Sequence, residues 1–77
     1  MEFRDWLMKE KQYSERASRD VQSRLKRALS LSGENEISQE TLTKIESNGE
    51  FKSLSMSVKS QIRRAVKFYQ EYLSSKN

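Results

Sequence analysis

The chain has 77 residues, neither Cys nor His, and a formal charge of +4. That length makes one small domain, and that composition excludes disulfides, thiolate zinc sites and the commonest general base and metal ligand. No apolar run approaches the ~20 residues of a membrane span, no signal-peptide core opens the chain, and the lack of Cys fits a reducing cytoplasm.

Pro is absent and the only glycines are Gly33 and Gly49. With so few breakers among plentiful Lys, Arg, Glu, Gln and Leu, the chain reads as all-helical. The first predicted helix spans 2–11, where Phe3, Trp6 and Leu7 fall at i, i+3 and i+4 and make Trp6 a core anchor. Tyr13, which follows, is either packed or half exposed. The second helix spans 15–31, capped by Ser14 and ended by Gly33. At about 100° per residue its inner face is Ala17, Val21, Leu25, Ala28 and Leu29. Arg16, Arg19, Ser23, Lys26 and Arg27 lie opposite, and Arg24 sits at the flank.

The third helix spans 39–47, with Ser38 as its cap and Ile37 and Leu42 placed as a hydrophobic staple. Asn48-Gly49 reads as a stop. Residues 50–56 make a connector with room for one short turn around Phe51 and Leu54. The fourth main helix spans 57–74. Val58, Ile62, Ala65, Val66, Tyr69 and Leu73 line its inner face, with Tyr72 beside it. Lys59, Arg63, Lys67 and Gln70 form a second stripe at near-i+4 steps. Its three cations have no acid at i+4 until Glu71, and like charges so placed repel. Met8 and Met56 read as gap-fillers, and the tail from Ser74 to Asn77 as frayed. Trp6, Leu25, Leu42, Ile62 and Tyr69 are expected in one core.

Charge alternates along this order. Residues 16–33 hold five cations and one acid, 34–51 one cation and five acids, 52–77 six cations and one acid. A surface selected only for solubility mixes signs. Same-sign stripes on two separate helices point to a polyanion, most simply the DNA backbone. Phosphate contacts of this kind position a protein on DNA. The acidic segment is then the solvent face kept off the phosphates.

The stretches Phe3-Arg4-Asp5-Trp6-Leu7, Tyr13-Ser14-Glu15-Arg16-Ala17 and Asp20-Val21-Gln22-Ser23-Arg24-Leu25-Lys26-Arg27 resemble the core-binding domain of tyrosine recombinases of the phage-integrase type. So does Gln61-Ile62-Arg63-Arg64-Ala65-Val66-Lys67-Phe68-Tyr69-Gln70-Glu71-Tyr72-Leu73. The resemblance covers nearly the whole chain, and its order and spacing are more telling than any one motif. It departs where the family often has Thr (here Ala17) and an aromatic (here Val21), and the family's catalytic half is missing. The resemblance implies a SAM-like bundle of four to five helices that forms half of a clamp around a recombination site. It implies DNA contacts at Ser14, Arg16 and Arg19 and at Lys59, Ser60 and Arg63. The helical stripes add Lys26, Arg27 and Lys67 to that set.

The expected function is therefore binding of double-stranded DNA, with a catalytic recombinase domain as a possible neighbour in a longer chain. Catalysis by residues 1–77 is not expected. There is no Ser-His-Asp set, phosphate-loop glycine pattern or metal-ligand cluster, and no cofactor, metal or small-molecule substrate is implied. The rival reading is a helical protein-interaction domain, in which the acidic third helix of one copy meets the basic last helix of another. A helix-turn-helix repressor ranks third, because the connector after Gly49 is long for that motif's tight turn.

Overall fold

In the computed structural model, which describes residues 2–75, the chain folds as an all-α bundle of five helices. They are α1 (Phe3–Glu10), α2 (Glu15–Ser32), α3 (Thr41–Glu46), α4 (Gly49–Lys52) and α5 (Met56–Ser75). Of the tail expected to fray, Ser74 and Ser75 instead complete the last turn of α5, and the remainder lies outside the described residues.

Local chemistry sets most of the boundaries. α1 ends where Lys11 and Tyr13 both donate backbone N–H groups to the Leu7 carbonyl, at 3.1 and 3.2 Å. That closure puts Gln12 at φ 56°, a left-handed conformation that side chains rarely adopt. α2 starts at Ser14, whose Oγ accepts from the Ala17 N–H at 3.1 Å. It ends at Gly33, which takes φ 74° and donates its N–H to the Leu29 carbonyl at 3.0 Å.

The segment after Gly33 is organised by one carboxylate. Glu34 accepts from Ser38 Oγ at 2.8 Å, from Thr41 Oγ1 at 2.5 Å and from Lys44 Nζ at 3.0 Å. Ser38 in turn takes the Glu40 N–H on its Oγ at 3.1 Å and gives its own N–H to Thr41 Oγ1 at 2.8 Å. Residues 39 and 40 are thereby held in a turn, and α3 begins at Thr41 rather than at 39. Ser38 caps that turn, not the helix. Ile37 is buried and Leu42 packs against the same cluster, but with α3 starting at Thr41 they do not stand at the N′ and N4 positions of a staple.

α3 ends before Asn48-Gly49, as expected, and the same pair then starts a new helix. Asn48 Oδ1 accepts the Phe51 N–H at 3.0 Å and so caps α4. Its Nδ2 donates to the Leu31 carbonyl at 3.0 Å, tying α4 to the last turn of α2. Ser55 Oγ then accepts the Val58 N–H at 3.3 Å in the first turn of α5.

α2 and α5 share the largest helix–helix contact. They run antiparallel: Tyr13, just before α2, meets Phe68 of α5 edge-on at 5.8 Å, while Arg24 farther along reaches Gln61. Two apolar clusters pack along this pair. Phe3, Trp6, Leu7 and Tyr72 form one, with Phe3 5.0 Å from Tyr69 and 5.5 Å from Tyr72 between ring centroids. Ala28, Leu31, Ile37, Ile45, Phe51, Ile62 and Val66 form the other. The expected single core is thus two centres, and Leu25 and Tyr69 pack against both. The α1 aromatics draw Tyr72 inward and leave Leu73 exposed, the reverse of the order expected for α5. Met8 and Met56 fill no gap, since both are exposed, Met56 at 84%.

Candidate nucleic-acid interface

On α2 the helical phase puts Arg16, Arg19, Ser23, Lys26 and Arg27 opposite the packed residues, and all five are exposed. Arg19 is not free there: its guanidinium is 2.9 Å from Glu15 one turn back. Arg16, Lys26 and Arg27 make no ion pair with any described residue. Ser14 spends its oxygen lone pair on the cap, and its exposed O–H remains a donor.

On α5 the predicted stripe of Lys59, Arg63, Lys67 and Gln70 divides. Gln70 is half-buried and donates Nε2 to the Ser38 carbonyl at 2.9 Å. Arg63 is half-buried too. Its Nε and Nη2 donate to the two carboxylate oxygens of Glu46, at 2.6 and 3.2 Å, and the guanidinium lies 5.3 Å from the Phe51 ring centroid. Lys59 Nζ is 6.0 Å from the same ring. Arg63 therefore ties α5 to α3 and, with Lys59, leans on Phe51 of α4, so of the three cations in the stripe Arg63 is paired and Lys67 makes neither contact. Glu46 is held below its ordinary carboxylate value chiefly by the Arg63 hydrogen bonds, and Arg63 is raised by the same bonds. Counting acids within α5 alone missed this partner, because it comes from another helix.

The outward face of α5 is instead Ser57, Ser60, Arg64 and Lys67, at i, i+3, i+7 and i+10, all exposed. Neither Arg64 nor Lys67 makes an ion pair with a described residue. Arg64 lies outside the predicted stripe, although its phase opposite Ile62, Ala65 and Val66 marks it as outward. It lines two shallow surface recesses: one with Met56, Ser57, Ser60 and Gln61, the other with Ser60, Arg63, Lys67 and Phe68. At the α2–α5 seam Arg24 Nε donates to Gln61 Oε1 at 2.8 Å.

The acids lie mostly elsewhere. Glu36, Glu40 and Glu50 are exposed on the 34–40 segment and α4, while Asp20 and Glu15 are the acids on α2. Among the described residues no group of three or more acids gathers to hold a metal ion, and no helix is long and apolar enough to cross a membrane. The chain matches no protein-family model, no curated protein and no solved structure.

Proposed function

We propose that the chain is a DNA-binding module of the kind seen as the core-binding domain of tyrosine recombinases, gripping duplex DNA through the exposed basic faces of α2 and α5. The observation that carries this reading is the set Arg16, Lys26, Arg27, Arg64 and Lys67. These cations are exposed and make no ion pair with a described carboxylate. Phosphates are the partners that such a set takes up, with release of condensed counterions. Ser14 and Ser60 add hydroxyl donors beside it, and Arg19 contributes once released from Glu15. Lys59 and Arg63 serve the fold, and their charge acts only at longer range. The module works by binding, in the cytoplasm, and leaves cleavage and joining to a catalytic recombinase domain.

The test is fluorescence anisotropy of a labelled duplex titrated with the protein at increasing salt. Four to five phosphate contacts give a log–log salt slope of about −4, at ~0.9 per contact. Arg27→Glu with Lys67→Glu is expected to abolish binding, and Glu40→Lys with Glu50→Lys to leave it unchanged or tighter. A wild-type protein that ignores duplex DNA at low salt overturns the reading. Self-association by sedimentation that both double changes disrupt equally would put the protein-interaction reading in its place.

A further inference from the structure

Among the described residues, the cations whose side chains are held by other side chains show one exception. Lys11 is held by Glu71, Arg19 by Glu15, Lys44 by Glu34 and Arg63 by Glu46, each a carboxylate that cancels the charge it orients. Arg24 is held by the neutral amide of Gln61, through Nε to Oε1 at 2.8 Å. A guanidinium has five N–H donors in one plane, so this single bond restricts its orientation and leaves the other four donors free, and Arg24 makes no ion pair with a described residue. An oriented, uncompensated guanidinium is a pre-organised receptor for a tetrahedral oxyanion, because the side-chain ordering that binding would otherwise cost is already in place.

The surroundings complete such a receptor. Gln61 lines the recess that also contains Ser57, Ser60 and Arg64. Arg24 does not itself line the recess; its bond to Gln61 sets it beside the two serine hydroxyls and the Arg64 guanidinium, which makes no ion pair with a described residue. The bond joins residues 37 apart in sequence, so it exists only once α2 and α5 have docked.

We infer that the seam between α2 and α5 seats one backbone phosphate of a nucleic acid, with Arg24 and Arg64 as the contacting cations and Gln61 as the positioning residue that aims Arg24. The inference rests on the DNA-binding reading above and adds to it a defined phosphate seat.

The experiment uses the same labelled duplex with Arg24→Met, Arg24→Lys, Gln61→Met, the double Arg24→Met/Gln61→Met and, as a charge control on α4, Lys52→Met. Arg24→Met is expected to make the salt slope shallower by about 0.9, one phosphate contact. Gln61→Met and Arg24→Lys are expected to weaken binding about three- to tenfold with the slope retained, the signature of lost ordering at constant charge. Gln61→Met should have no further effect once Arg24 is Met, which a merely structural role for Gln61 would not produce. Lys52→Met should leave the slope unchanged. Thermal melts of every variant separate loss of binding from loss of fold, and Arg24→Lys retains the charge if Arg24→Met does not fold. If wild type binds DNA but Arg24→Met leaves the slope intact, or if the Gln61 and Arg24 effects simply add, the phosphate seat is wrong and the DNA reading stands. If wild type binds no duplex at low salt, both fall. Inorganic phosphate run as a competitor separates a seat for the backbone from one for the free ion: displacement of DNA at millimolar phosphate, beyond that caused by chloride at equal ionic strength, would overturn the backbone assignment.

Discussion

The hydroxyl of Ser18 is buried in α2 and has no hydrogen-bond partner among the described residues. A buried donor left unmatched forfeits its hydration without return. Ser18→Ala removes that loss and improves helix propensity, so it is expected to stabilise the protein by about 1 kcal/mol. Urea unfolding is the check, and a destabilised Ala variant would mean that the hydroxyl has a partner after all. Glu34 is the opposite case, a carboxylate supplied with more donors than it needs for one bond. Hydrogen bonds from Thr41, Ser38 and Lys44, in that order, hold its pKa down at about 2. Because the folded value lies below the unfolded one, the charged form favours the fold. The contribution is full above pH ~4.5 and disappears as pH falls through about 2. Wild type should therefore exceed Glu34→Gln in stability by most at neutral pH, with the gap closing across that window. A gap that stays constant from pH 7 to pH 2 would contradict the assignment.

At the level of elements, Asn48 does two jobs at the α3–α4 junction. It caps α4 through Oδ1 and holds the Leu31 carbonyl of α2 through Nδ2. Asn48→Ala loses the cap and leaves the carbonyl short of a donor, an expected cost of about 2 kcal/mol. Asn48→Asp keeps the acceptor and loses the donor, so its cost should fall between wild type and Ala. Equal stability of all three proteins would show that the junction does not depend on this side chain. Asn-Gly is an ambiguous signal in a sequence: Asn both tolerates a turn and accepts an N–H, and only the position of Phe51 decides which. The burial of Ile37 and the packing of Leu42 were legible, but the turn at 39 and 40 that displaces the helix start was not, since it depends on Glu34 reaching Thr41 seven residues on. Gln12 gives no sign in the sequence either, because its left-handed backbone is imposed by the two N–H groups that converge on Leu7.

For the whole molecule, stability depends on coupling two apolar clusters. Leu25 and Tyr69 touch both, so they join the α1 end to the α3–α4 end. Leu25→Ala is expected to cost about 2 kcal/mol, the low end for Leu truncation, because the side chain is only half-buried. Small domains have ~5 kcal/mol to lose, so the melting temperature should drop by several degrees. A change of only a degree or two would show that the clusters do not communicate through Leu25. Charge is divided at the same scale. Ion pairs between elements, such as Lys11–Glu71 and Arg63–Glu46, join α5 to the segment after α1 and to α3. Most of the described cations without an ion pair lie on α2 and α5, with Arg4 and Lys9 on α1 and Lys52 on α4 besides. Exposed pairs of this kind contribute little stability each, so the segregation of the remainder matters more for what the surface attracts than for the fold.

The amino-acid sequence by itself determined the all-helical class, the Ser14 and Gly33 boundaries of α2, most of the inner-face residues and the outward placement of Arg16, Lys26, Arg27 and Lys67. These follow from local rules, namely capping, propensity and a 3.6-residue period, that act within a few residues of one another. Only the tertiary structure decided which cations are spent. Arg63 and Arg64 are neighbours in the chain with the same side chain. Yet about 100° of helical rotation turns Arg63 toward Glu46 and Phe51, while Arg64 stays in solvent beside Gln61. Helical phase names both flanks of α5, but the docking of α3 and α4 on one flank and of α2 on the other settles which arginine belongs to the fold and which to the surface.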